Sequence, residues 1–307
     1  MQTIEELNRR FGAPERIVFR AGHCGYPEVV LSNKYGTAEV ALLGANTLSY
    51  RPTGHAPVIF RPAKRDYNRS QSIHGGIPVC WPQFGKLAIP GMAQHGFARI
   101  MPFEVRATQY TEEMTEVTLG LKSSEETKKL FPYDFDLEVK ITVSMKLNLR
   151  MVTKNTGSDA FEFTGGFHPY FTVRERDGVT VRGLDGAKYV YAVDMSEGVQ
   201  QGDIAMTSPK DHVFSLPPAP KHEFAILDSG LRRAIAMVSS GNESAIVWNP
   251  GPGSGIHDFE EDDWRRFICV EPVTHWPKAT RALGPGETHE LLAAIQASAD
   301  GADGVVA

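Results

Sequence analysis

Alternating apolar and polar positions define the clearest element of the chain, the segment from residue 135 to residue 151. Every odd-numbered position in this segment is apolar, and every even-numbered position is charged or polar. A two-residue period places the apolar side chains on one face of a β-strand, whereas a helix would scatter them around its circumference. Because the run is long for one strand, we expect a tight hairpin or a sharp bend near residues 145–148.

Shorter runs with the same character recur through the rest of the sequence. Two strand-like segments flank a polar turn at residues 111–113. Turn-forming residues at 155–157 and 251–255 separate other apolar segments. Many short strands predict an all-β fold of the sandwich type. The further strands are predicted at residues 17–20, 28–32, 37–43, 161–166, 179–182, 224–228, 234–238, 244–248, 266–270 and 288–296.

Helical periodicity is concentrated near the N-terminus, in the segment TIEELNRRFG. Thr3 and Glu6 have the spacing of a capping box, and Gly12 marks the end of a short helix. With so few helical segments, we expect a large all-β sandwich. No linker, internal repeat or low-complexity block divides the chain, so we expect one domain over residues 1–297 and a flexible tail over residues 298–307.

The composition is that of a globular protein and excludes several functional classes. The 307 residues are 41% hydrophobic and 22% charged, with a net charge of −5. No general affinity for nucleic acid or for an anionic membrane surface is expected from that balance. No apolar run approaches the ~18 residues that cross a bilayer, and the polar N-terminus carries no secretion signal. We therefore expect a cytoplasmic protein.

The three cysteines lie far apart and never form a C-x-x-C pair, which predicts neither a disulfide framework nor a zinc ribbon. Two of them, Cys80 and Cys269, are surrounded by apolar residues. We expect both to be buried free thiols.

Four stretches combine ionisable residues with glycine, proline and aromatic residues. His168 lies in GGFHPYF, His95 in AQHGFAR and His74 in SIHGGIPVCWPQFG, while Glu271 ends an apolar strand directly before a proline. Taken singly, each has an ordinary structural explanation, because a histidine can be packed in a core and a strand-end carboxylate can be solvated. The two glycines before His168 allow either unusual backbone angles or a close approach to a ligand.

Six phrases occur in order along most of the chain: GGIPVCWPQFG, QHGFAR, GGFHPYF, GLDGAKY, VWNP and CVEP. Together they resemble the aldose 1-epimerase (galactose mutarotase) superfamily and, more narrowly, its hexose-6-phosphate branch, the glucose-6-phosphate 1-epimerases. The resemblance implies a large antiparallel β-sandwich, in agreement with the alternation of apolar residues. It also implies an isomerase that interconverts the α and β anomers of a sugar.

The same resemblance implies a set of site residues. The family's catalytic positions fall on His168 of FHPYF and Glu271 of CVEP. Its sugar- and phosphate-binding positions, with the adjoining pocket wall, fall on Gln94, His95, Arg99 and Asp203. Aromatic ring faces for the sugar are expected among Trp81, Phe84, Phe97 and Tyr170.

Two departures from the branch bear on the substrate. The branch has arginine immediately before GGIP, whereas this chain has His74, which lacks the fixed charge and forked geometry of a guanidinium. Protonated His74 could replace part of that charge as a substrate-binding residue, most effectively at lower pH. The glycine-rich GPGSG after VWNP also differs from the branch. The nearby stretch RPAKRDYNR either supplies a missing charge or is a solvated basic loop; its cations are Arg61, Lys64, Arg65 and Arg69.

The chemistry of anomer exchange explains why these residue types are needed. One proton leaves the C1 hydroxyl and another reaches the ring oxygen, after which the ring opens and closes from the other face. We expect Glu271 to take the hydroxyl proton and His168, as an imidazolium, to protonate the ring oxygen, each contributing roughly 10²–10⁴-fold. The reaction involves no redox change, so neither a cofactor nor a metal is expected.

The leading interpretation is a 1-epimerase of hexose 6-phosphates, with glucose 6-phosphate as the first candidate. The same reaction on an unphosphorylated aldose is the nearest alternative, because of His74. A non-catalytic sugar-binding protein of the same fold is a third possibility. A glycoside hydrolase is a fourth, but that chemistry generally needs two carboxylates. The expected partner is a small-molecule sugar or sugar phosphate, and the sequence leaves protein partners undefined.

Overall fold

Antiparallel β-strands make up most of the regular structure, in a computed structural model that describes residues 2–64, 73–85, 91–274 and 280–299. The largest sheet has nine strands, which are, in order across it, β16 (Ile204–Ala205), β13 (Val179–Arg182), β18 (His222–Asp228), β19 (Arg233–Ser240), β23 (Thr288–Ala299), β9 (Leu147–Asn155), β8 (Phe135–Val143), β7 (Thr115–Lys122) and β6 (Glu104–Tyr110). The eight-stranded sheet contains, in order, β15 (Glu197–Val199), β14 (Lys188–Tyr191), β17 (Lys210–Ser215), β20 (Ser244–Asn249), β21 (Phe267–Thr274), β11 (Gly165–Phe167) and β5 (Val79–Cys80), with β12 (Tyr170–Thr172) also paired to β21. The smaller sheets are β1 (Ile17–Ala21), β2 (Pro27–Asn33), β3 (Gly36–Ala41) and β4 (Thr47–Pro52), and the pair β10 (Phe161–Phe163) and β22 (Arg281–Leu283).

Helices are few and short in the described part of the chain: α1 (Ile4–Phe11), α2 (Glu125–Lys128) and the 3₁₀ turns His23–Gly25, Ala98–Ile100, Arg176–Gly178 and Asp263–Arg265. The predicted N-terminal helix is confirmed. The Thr3 hydroxyl accepts from the backbone N–H of Glu6, and the Glu6 carboxylate accepts from the backbone N–H of Thr3. This capping box satisfies two backbone donors at the start of the helix.

The alternating segment forms the predicted hairpin. β8 and β9 pair along their whole length, from Phe135 opposite Asn155 to Val143 opposite Leu147, and residues 144–146 make the turn. Side chains along β8 alternate strictly between buried and half-buried, as a strand with one face on a core requires. The second predicted pair is also present, as β6 and β7. The all-β antiparallel fold is therefore confirmed.

Differences from the predicted elements are concentrated in short strands. The predicted strand at 161–166 is two strands, β10 and β11, which belong to different sheets. β23 runs to Ala299, two residues into the segment predicted as a tail, and residues 300–307 lie outside the described residues. Strands that the pattern does not predict have six residues or fewer, too few for a two-residue period to stand out; they are β4, β5, β12, β14, β15, β16, β17 and β22.

A continuous cluster of buried apolar side chains joins the nine-stranded and eight-stranded sheets. Along β17, β20 and β21, alternate residues such as Phe214, Val247 and Val270 enter this core. The residues between them face the opposite side, where smaller apolar clusters form around Ile246 and Phe267. β21 is buried along its whole length, since both of its faces are covered. The eight-stranded sheet therefore has a second enclosed face.

Cys80 and Cys269 are buried free thiols, as predicted. Burial raises the pKa of the Cys80 thiol to about 12. Among the described helices, none combines the length and the apolar character needed to span a membrane.

Candidate active site

Strand register brings together the two residues proposed for catalysis. β11 and β12 both pair with β21, and the two ladders share one register. His168 lies between these short strands and is therefore directly opposite Glu271 of β21. The ladder is interrupted there because Pro169 has no backbone N–H. Nδ1 of His168 lies 3.4 Å from Oε1 of Glu271, and we refer to these two residues as the His168–Glu271 pair.

Gly166 allows close packing beside this pair. A Cβ atom at Gly166 would lie 2.9 Å from a ring carbon of Phe84 and 2.9 Å from the carbonyl oxygen of Pro272. The glycine is part of β11 and does not have a positive φ. The sequence allowed unusual backbone angles or a close approach to a ligand at these glycines, whereas at Gly166 the structure shows a close approach to Phe84 and Pro272 of the protein itself.

The His168–Glu271 pair opens into a cavity of about 590 Å³ on the second face of the eight-stranded sheet. Cavities of this size are typical of sites for small molecules. All four stretches that carry the predicted ionisable residues contribute to the lining, so these stretches do converge in space. Six of the seven predicted site residues line the cavity: His74, Gln94, His95, Arg99, His168 and Glu271.

Asp203 is the predicted site residue that the structure places elsewhere. It precedes β16 at the edge of the nine-stranded sheet, where it accepts a hydrogen bond from Nε of Arg182 at 2.9 Å. Among the described residues, the aspartate that lines the cavity together with Glu271 is Asp211 of β17. Asp211 pairs with Trp248 of β20, and the two-residue alternation of these strands puts it on the same face of the sheet as Glu271.

Burial controls the protonation of the His168–Glu271 pair, in which Glu271 is 1% exposed and His168 is 6% exposed. Burial, and then the Asp211 carboxylate, raises the pKa of Glu271 well above its ordinary range, against a smaller opposing effect of Arg99. Burial, followed by the charges of Arg99 and His74, lowers the pKa of His168 well below its ordinary range. The structure thus favours a neutral acid and a neutral imidazole, whereas the sequence argument expected two ions.

The facing atoms of this pair make no hydrogen bond within the described residues. His168 Nδ1 and Glu271 Oε1 are both buried and both unsatisfied. Such atoms are rare in folded proteins and indicate a functional site or an unseen partner. The imidazole plane is fixed by stacking on Tyr170, with ring centroids 4.8 Å apart. The imidazole is therefore held in place, while the facing atoms of the pair have no hydrogen-bond partner among the described residues.

Arg99 provides a buried cation without a counter-ion among the described residues. Arg99 is only 5% exposed. Its Nη2 donates a hydrogen bond to the carbonyl of Ile73 at 3.2 Å, and its Nε has no hydrogen-bond partner among the described residues. The carboxylates of Asp258 and Glu271 contact histidines instead. A buried charge is unfavourable unless it is paired, so an anionic group of a ligand is the natural partner for this guanidinium.

His95 is held between the backbone of Gly85 and the side chain of Gln94. Its backbone N–H donates to the Gly85 carbonyl at 2.8 Å, and its Nδ1 accepts from the Gly85 N–H at 3.2 Å. The other ring nitrogen, Nε2, lies 3.3 Å from the amide nitrogen Nε2 of Gln94, so N–H donors face both ring nitrogens. Burial, together with the charges of Arg99 and His168, lowers the pKa of His95 well below its ordinary range. His95 remains neutral and cannot act as a second imidazolium.

His74 is held by an aspartate that no sequence motif identified. Asp258 is fully buried and accepts hydrogen bonds from the backbone N–H and from Nδ1 of His74, each at 2.8 Å. The ring of His257 lies 5.4 Å from the ring of His74. Burial by itself raises the pKa of Asp258, but the hydrogen bonds and charge of His74 outweigh it, so the pKa is lowered. Asp258 therefore stays ionised.

Aromatic side chains form the apolar walls of the cavity. Of the four rings proposed for sugar contact, Phe84 and Tyr170 line the cavity, whereas Trp81 and Phe97 are packed in the main core. Trp248, in the phrase VWNP, also lines the cavity. The sequence analysis did not name Trp248 as a site residue, although its place in VWNP, one of the six phrases that resemble the family, could have identified it.

The basic stretch near residue 65 supplies no unpaired cation in its described part. Arg61 forms ion pairs with Glu28 and Glu39. Lys64 donates to the carbonyl of Phe259 at 3.1 Å. Arg65 and Arg69 lie outside the described residues.

Two groups of side chains each bring three possible metal-binding atoms within 4.8 Å of one another. They are His74, His257 and Asp258, and His168, Cys269 and Glu271. In the first group, a direct hydrogen bond already accounts for the closest contact. In the second, burial raises the pKa of Cys269 and of Glu271 well above their ordinary ranges, which favours protonated forms that do not bind metal. We assign neither group to a metal.

Comparison with known proteins agrees with this geometry. The family model described as "Aldose 1-epimerase" matches residues 27–296. Curated relatives from Salmonella typhimurium (strain LT2) and Escherichia coli (strain K12) are both described as "Putative glucose-6-phosphate 1-epimerase". The first is 32% identical over 249 residues, covering 80% of this chain and 82% of the relative. The second is 32% identical over 245 residues, covering 79% and 81%.

Solved structures share the architecture as well. The crystal structure of "a putative mutarotase (YeaD)" from Salmonella typhimurium superposes with a TM-score of 0.84 at 28% identity, covering 92% of this chain and 94% of that chain. The galactose mutarotase-like sandwich expected from the sequence is thereby confirmed. The family match extends over most of the chain and includes every residue that lines the cavity. The chain belongs to the aldose 1-epimerase family and is an epimerase.

Proposed function

We propose that this epimerase interconverts the α and β anomers of a hexose 6-phosphate, with glucose 6-phosphate as the first substrate to test. Arg99 is the observation that carries the proposal, because its buried guanidinium lines the same cavity as the His168–Glu271 pair and has no carboxylate partner in the described residues. A phosphate group pairs with such a cation through charge-assisted hydrogen bonds. The descriptions of the two curated relatives name the same substrate class.

The His168–Glu271 pair supplies the proton chemistry in this proposal. The pair holds one exchangeable proton, which can be on the carboxylate or on the imidazole without changing the net charge. Burial favours the neutral form. Hydrogen bonds from sugar hydroxyl groups favour the ionic form, in which Glu271 accepts the proton of the C1 hydroxyl and His168 protonates the ring oxygen. The charge of Arg99 favours the ionised carboxylate of Glu271 and opposes the imidazolium of His168. The C1–O5 bond then breaks, the aldehyde turns about C1–C2, and the reverse transfers close the other anomer.

The orientation of the His168–Glu271 pair determines which of its atoms can contact the sugar. Nδ1 of His168 and Oε1 of Glu271 face each other and are buried, which leaves Nε2 and Oε2 for the substrate. Asp211 and Gln94 line the same cavity and provide hydrogen-bonding groups for ring hydroxyls. Phe84 and Tyr170 provide apolar surfaces for the ring faces.

An unphosphorylated aldose is the second candidate substrate, and one observation favours it. Asp258 is ionised and lies directly behind His74, so this part of the cavity wall carries a negative charge whenever His74 is neutral. A negative charge there opposes a phosphate group. Substrate preference therefore depends on the balance between Arg99 and the His74–Asp258 contact.

Exchange NMR on the pure protein tests the proposal directly. The rate of α-to-β exchange is measured for glucose 6-phosphate and for glucose at matched concentrations. We expect kcat/KM for the phosphorylated sugar to be higher by at least about tenfold, the factor contributed by one hydrogen bond to a charged group. Equal values for the two sugars would favour the free aldose. Saturable binding with no exchange above the buffer rate would instead identify a sugar-binding protein.

A further inference from the structure

We propose that the aromatic rings around His168 are positioning residues for proton transfer, because their π faces stabilise the imidazolium that His168 becomes during the reaction. These rings belong to Phe84, Tyr170 and Trp248, and we refer to them as the ring enclosure. The inference rests on the proposed function, in which His168 protonates the ring oxygen of the sugar. It gives an electrostatic role to side chains that otherwise serve as apolar walls of the cavity.

The ring enclosure contacts the imidazole of His168 in two orientations. Tyr170 and Phe84 lie nearly parallel to it, with centroids 4.8 Å and 6.0 Å away and interplanar angles of 12° and 18°. Trp248 lies almost perpendicular to it, with a centroid 5.6 Å away and an angle of 80°. All three side chains line the cavity, and they come from separate segments of the chain. Aromatic side chains that converge on one group in this way form the cages in which proteins bind organic cations.

The charge distribution of an aromatic ring explains how the enclosure acts. The ring face is negative, so it attracts a cation whose centre lies within about 6 Å of the ring centroid. A planar, delocalised cation is attracted by stacking, as a guanidinium is on an aromatic face. The imidazolium of His168 has this character, whereas the neutral imidazole has no net charge. The rings therefore favour the charged form over the neutral one, and their effect arises when the proton reaches His168.

Most other features of the site oppose a positive charge on His168. Burial, followed by the charges of Arg99 and His74, lowers the pKa of His168 well below its ordinary range. Glu271 attracts an imidazolium only when it is ionised, and burial raises its pKa well above the ordinary range. The rings offset part of this cost without bringing another ion or water into the site.

The remaining ionisable groups near His168 do not supply the same contribution. The thiol of Cys269 stays protonated and uncharged, because burial raises its pKa well above the ordinary range. The ring of His95 lies 5.4 Å away, and a charge on either histidine opposes a charge on the other. Among the described residues, the ionisable groups around His168 come from β21, the AQHGFAR stretch, the segment before β5, β17 and β12; they are Glu271, Cys269, Arg99, His95, His74, Asp211 and Tyr170.

Fluorinated phenylalanines at position 170 test this role while nearly preserving the size of the ring. The series is Tyr170→Phe followed by its 4-fluoro, 3,5-difluoro and 3,4,5-trifluoro analogues, and each fluorine withdraws negative charge from the ring face. Exchange NMR at pH 7.5 measures kcat with whichever of glucose and glucose 6-phosphate exchanges faster. We expect kcat to fall stepwise by about tenfold from Tyr170→Phe to the trifluoro analogue, the factor for loss of one buried cation–π contact. Because Tyr170→Phe is the reference, loss of the hydroxyl group does not enter the comparison.

Two other phenylalanines provide a second test and a matched control. Phe84 needs no prior substitution, so its fluorinated series still decides the matter if Tyr170→Phe folds poorly. We expect a smaller fall in kcat there, about threefold, because this ring is farther from the imidazole. Phe267 is fully buried and packs against Tyr170 and Trp248, but it does not line the cavity and, within the described residues, makes no ring contact with His168. Its fluorinated series should leave kcat unchanged.

Affinity for an unreactive sugar separates an effect on His168 from an effect on the bound sugar. The probe is 1,5-anhydroglucitol or its 6-phosphate, whichever matches the substrate that exchanges faster. Neither compound has a C1 hydroxyl, so neither can mutarotate. We expect the Kd of the probe, measured by calorimetry, to change much less than kcat along the Tyr170 series, because only the reaction requires the imidazolium.

The outcomes separate this inference from the proposed function. A kcat that does not depend on the number of fluorines, or that falls equally in the Phe267 series, overturns the role of the ring enclosure and leaves the proposed function intact. A fall in kcat with an equal loss of probe affinity also overturns it, because the ring then acts on the sugar and not on His168. If neither sugar exchanges above the buffer rate, the proposed function fails first, and this inference fails with it.

Discussion

Two histidine–carboxylate contacts lie in the wall of one cavity and have opposite properties. In the His168–Glu271 pair the nearest atoms are 3.4 Å apart, and neither has another partner in the described residues. In the His74–Asp258 contact the distance is 2.8 Å, and the aspartate accepts two hydrogen bonds. A buried carboxyl group without donors is driven towards its neutral form, whereas one with two donors keeps its charge. The same residue types can therefore exchange a proton in one place and orient a ring in another.

Replacement of Glu271 by Gln should have the largest effect on activity. The substitution keeps the shape of the side chain and removes the group that accepts the C1 proton. We expect kcat to fall by roughly 10²–10⁴-fold, the range for loss of a general base. Exchange NMR on the preferred hexose measures the change. A variant that keeps the wild-type rate would remove Glu271 from the mechanism.

The same variant tests the neutral state of Glu271 without reference to activity. Because the pKa of Glu271 in the folded protein is raised well above its ordinary value, its contribution to stability is present below that ordinary value and is lost as the pH rises through the folded pKa. Gln has no proton to lose. We expect the melting temperature of the wild-type protein to fall more steeply than that of Glu271→Gln as the pH rises from 5 to 9. Parallel curves would mean that Glu271 is already ionised in the folded protein.

The pH dependence of kcat should show that the pKa of His168 is lowered and the pKa of Glu271 is raised. The His168–Glu271 pair is active when it holds one proton, and it gains a second only well below the ordinary range of histidine, because burial lowers the pKa of His168. It loses its single proton only well above the ordinary range of glutamate. We therefore expect a broad plateau through neutral pH, with His168→Asn lacking the acid limb. A bell centred between about 4.3 and 6.5, the unperturbed values of the two groups, would contradict this prediction.

Arg99→Met should separate substrates instead of abolishing catalysis. Met fills a similar volume without the charge, so the variant loses the cation proposed to hold the phosphate. We expect KM for glucose 6-phosphate to rise about 10–100-fold, the range for hydrogen bonds to a charged group, and KM for glucose to change much less. Arg182→Met is the matched control, because Arg182 pairs with Asp203 away from the cavity. An equal rise of both KM values would count against a phosphate site at Arg99.

Sequence patterns were sufficient wherever one local rule decides the structure. Strict alternation of apolar and polar residues predicted the β8–β9 hairpin, and the spacing of Thr3 and Glu6 predicted the start of α1. β17 could not be predicted in this way, because Lys210–Ser215 is short and begins with polar residues. Its place in the sheet depends on pairing with β14 and β20, which lie outside the segment and do not enter its local pattern.

In the candidate site, too, the sequence identified individual residues, but their arrangement depends on the fold. The phrases around His168 and Glu271 indicated which residues matter, but their contact depends on the register that β11 and β12 share with β21, about a hundred residues further along the chain. Burial then sets the protonation of both groups, and burial is not visible in a sequence. Asp258 is missed for the same reason, since only the fold brings it under His74. Asp203 was assigned from resemblance alone, and the structure offers Asp211 in its place.

Asp211→Asn is expected to have the smallest effect on kinetics among these variants. Comparison with Asp203→Asn decides which of the two aspartates binds the sugar. Burial raises the pKa of Asp211 to about 6, so at pH 7.5 it is ionised and can accept hydrogen bonds from sugar hydroxyls. Because those hydroxyls are common to glucose and glucose 6-phosphate, KM should rise about tenfold for both sugars. The alkaline limb of the pH profile should also move to lower pH, since the Asp211 charge raises the pKa of Glu271. Asp203→Asn should change neither quantity, because Asp203 contacts Arg182 in the other sheet. If Asp203→Asn weakens sugar binding and Asp211→Asn does not, the cavity described here is not where the sugar binds.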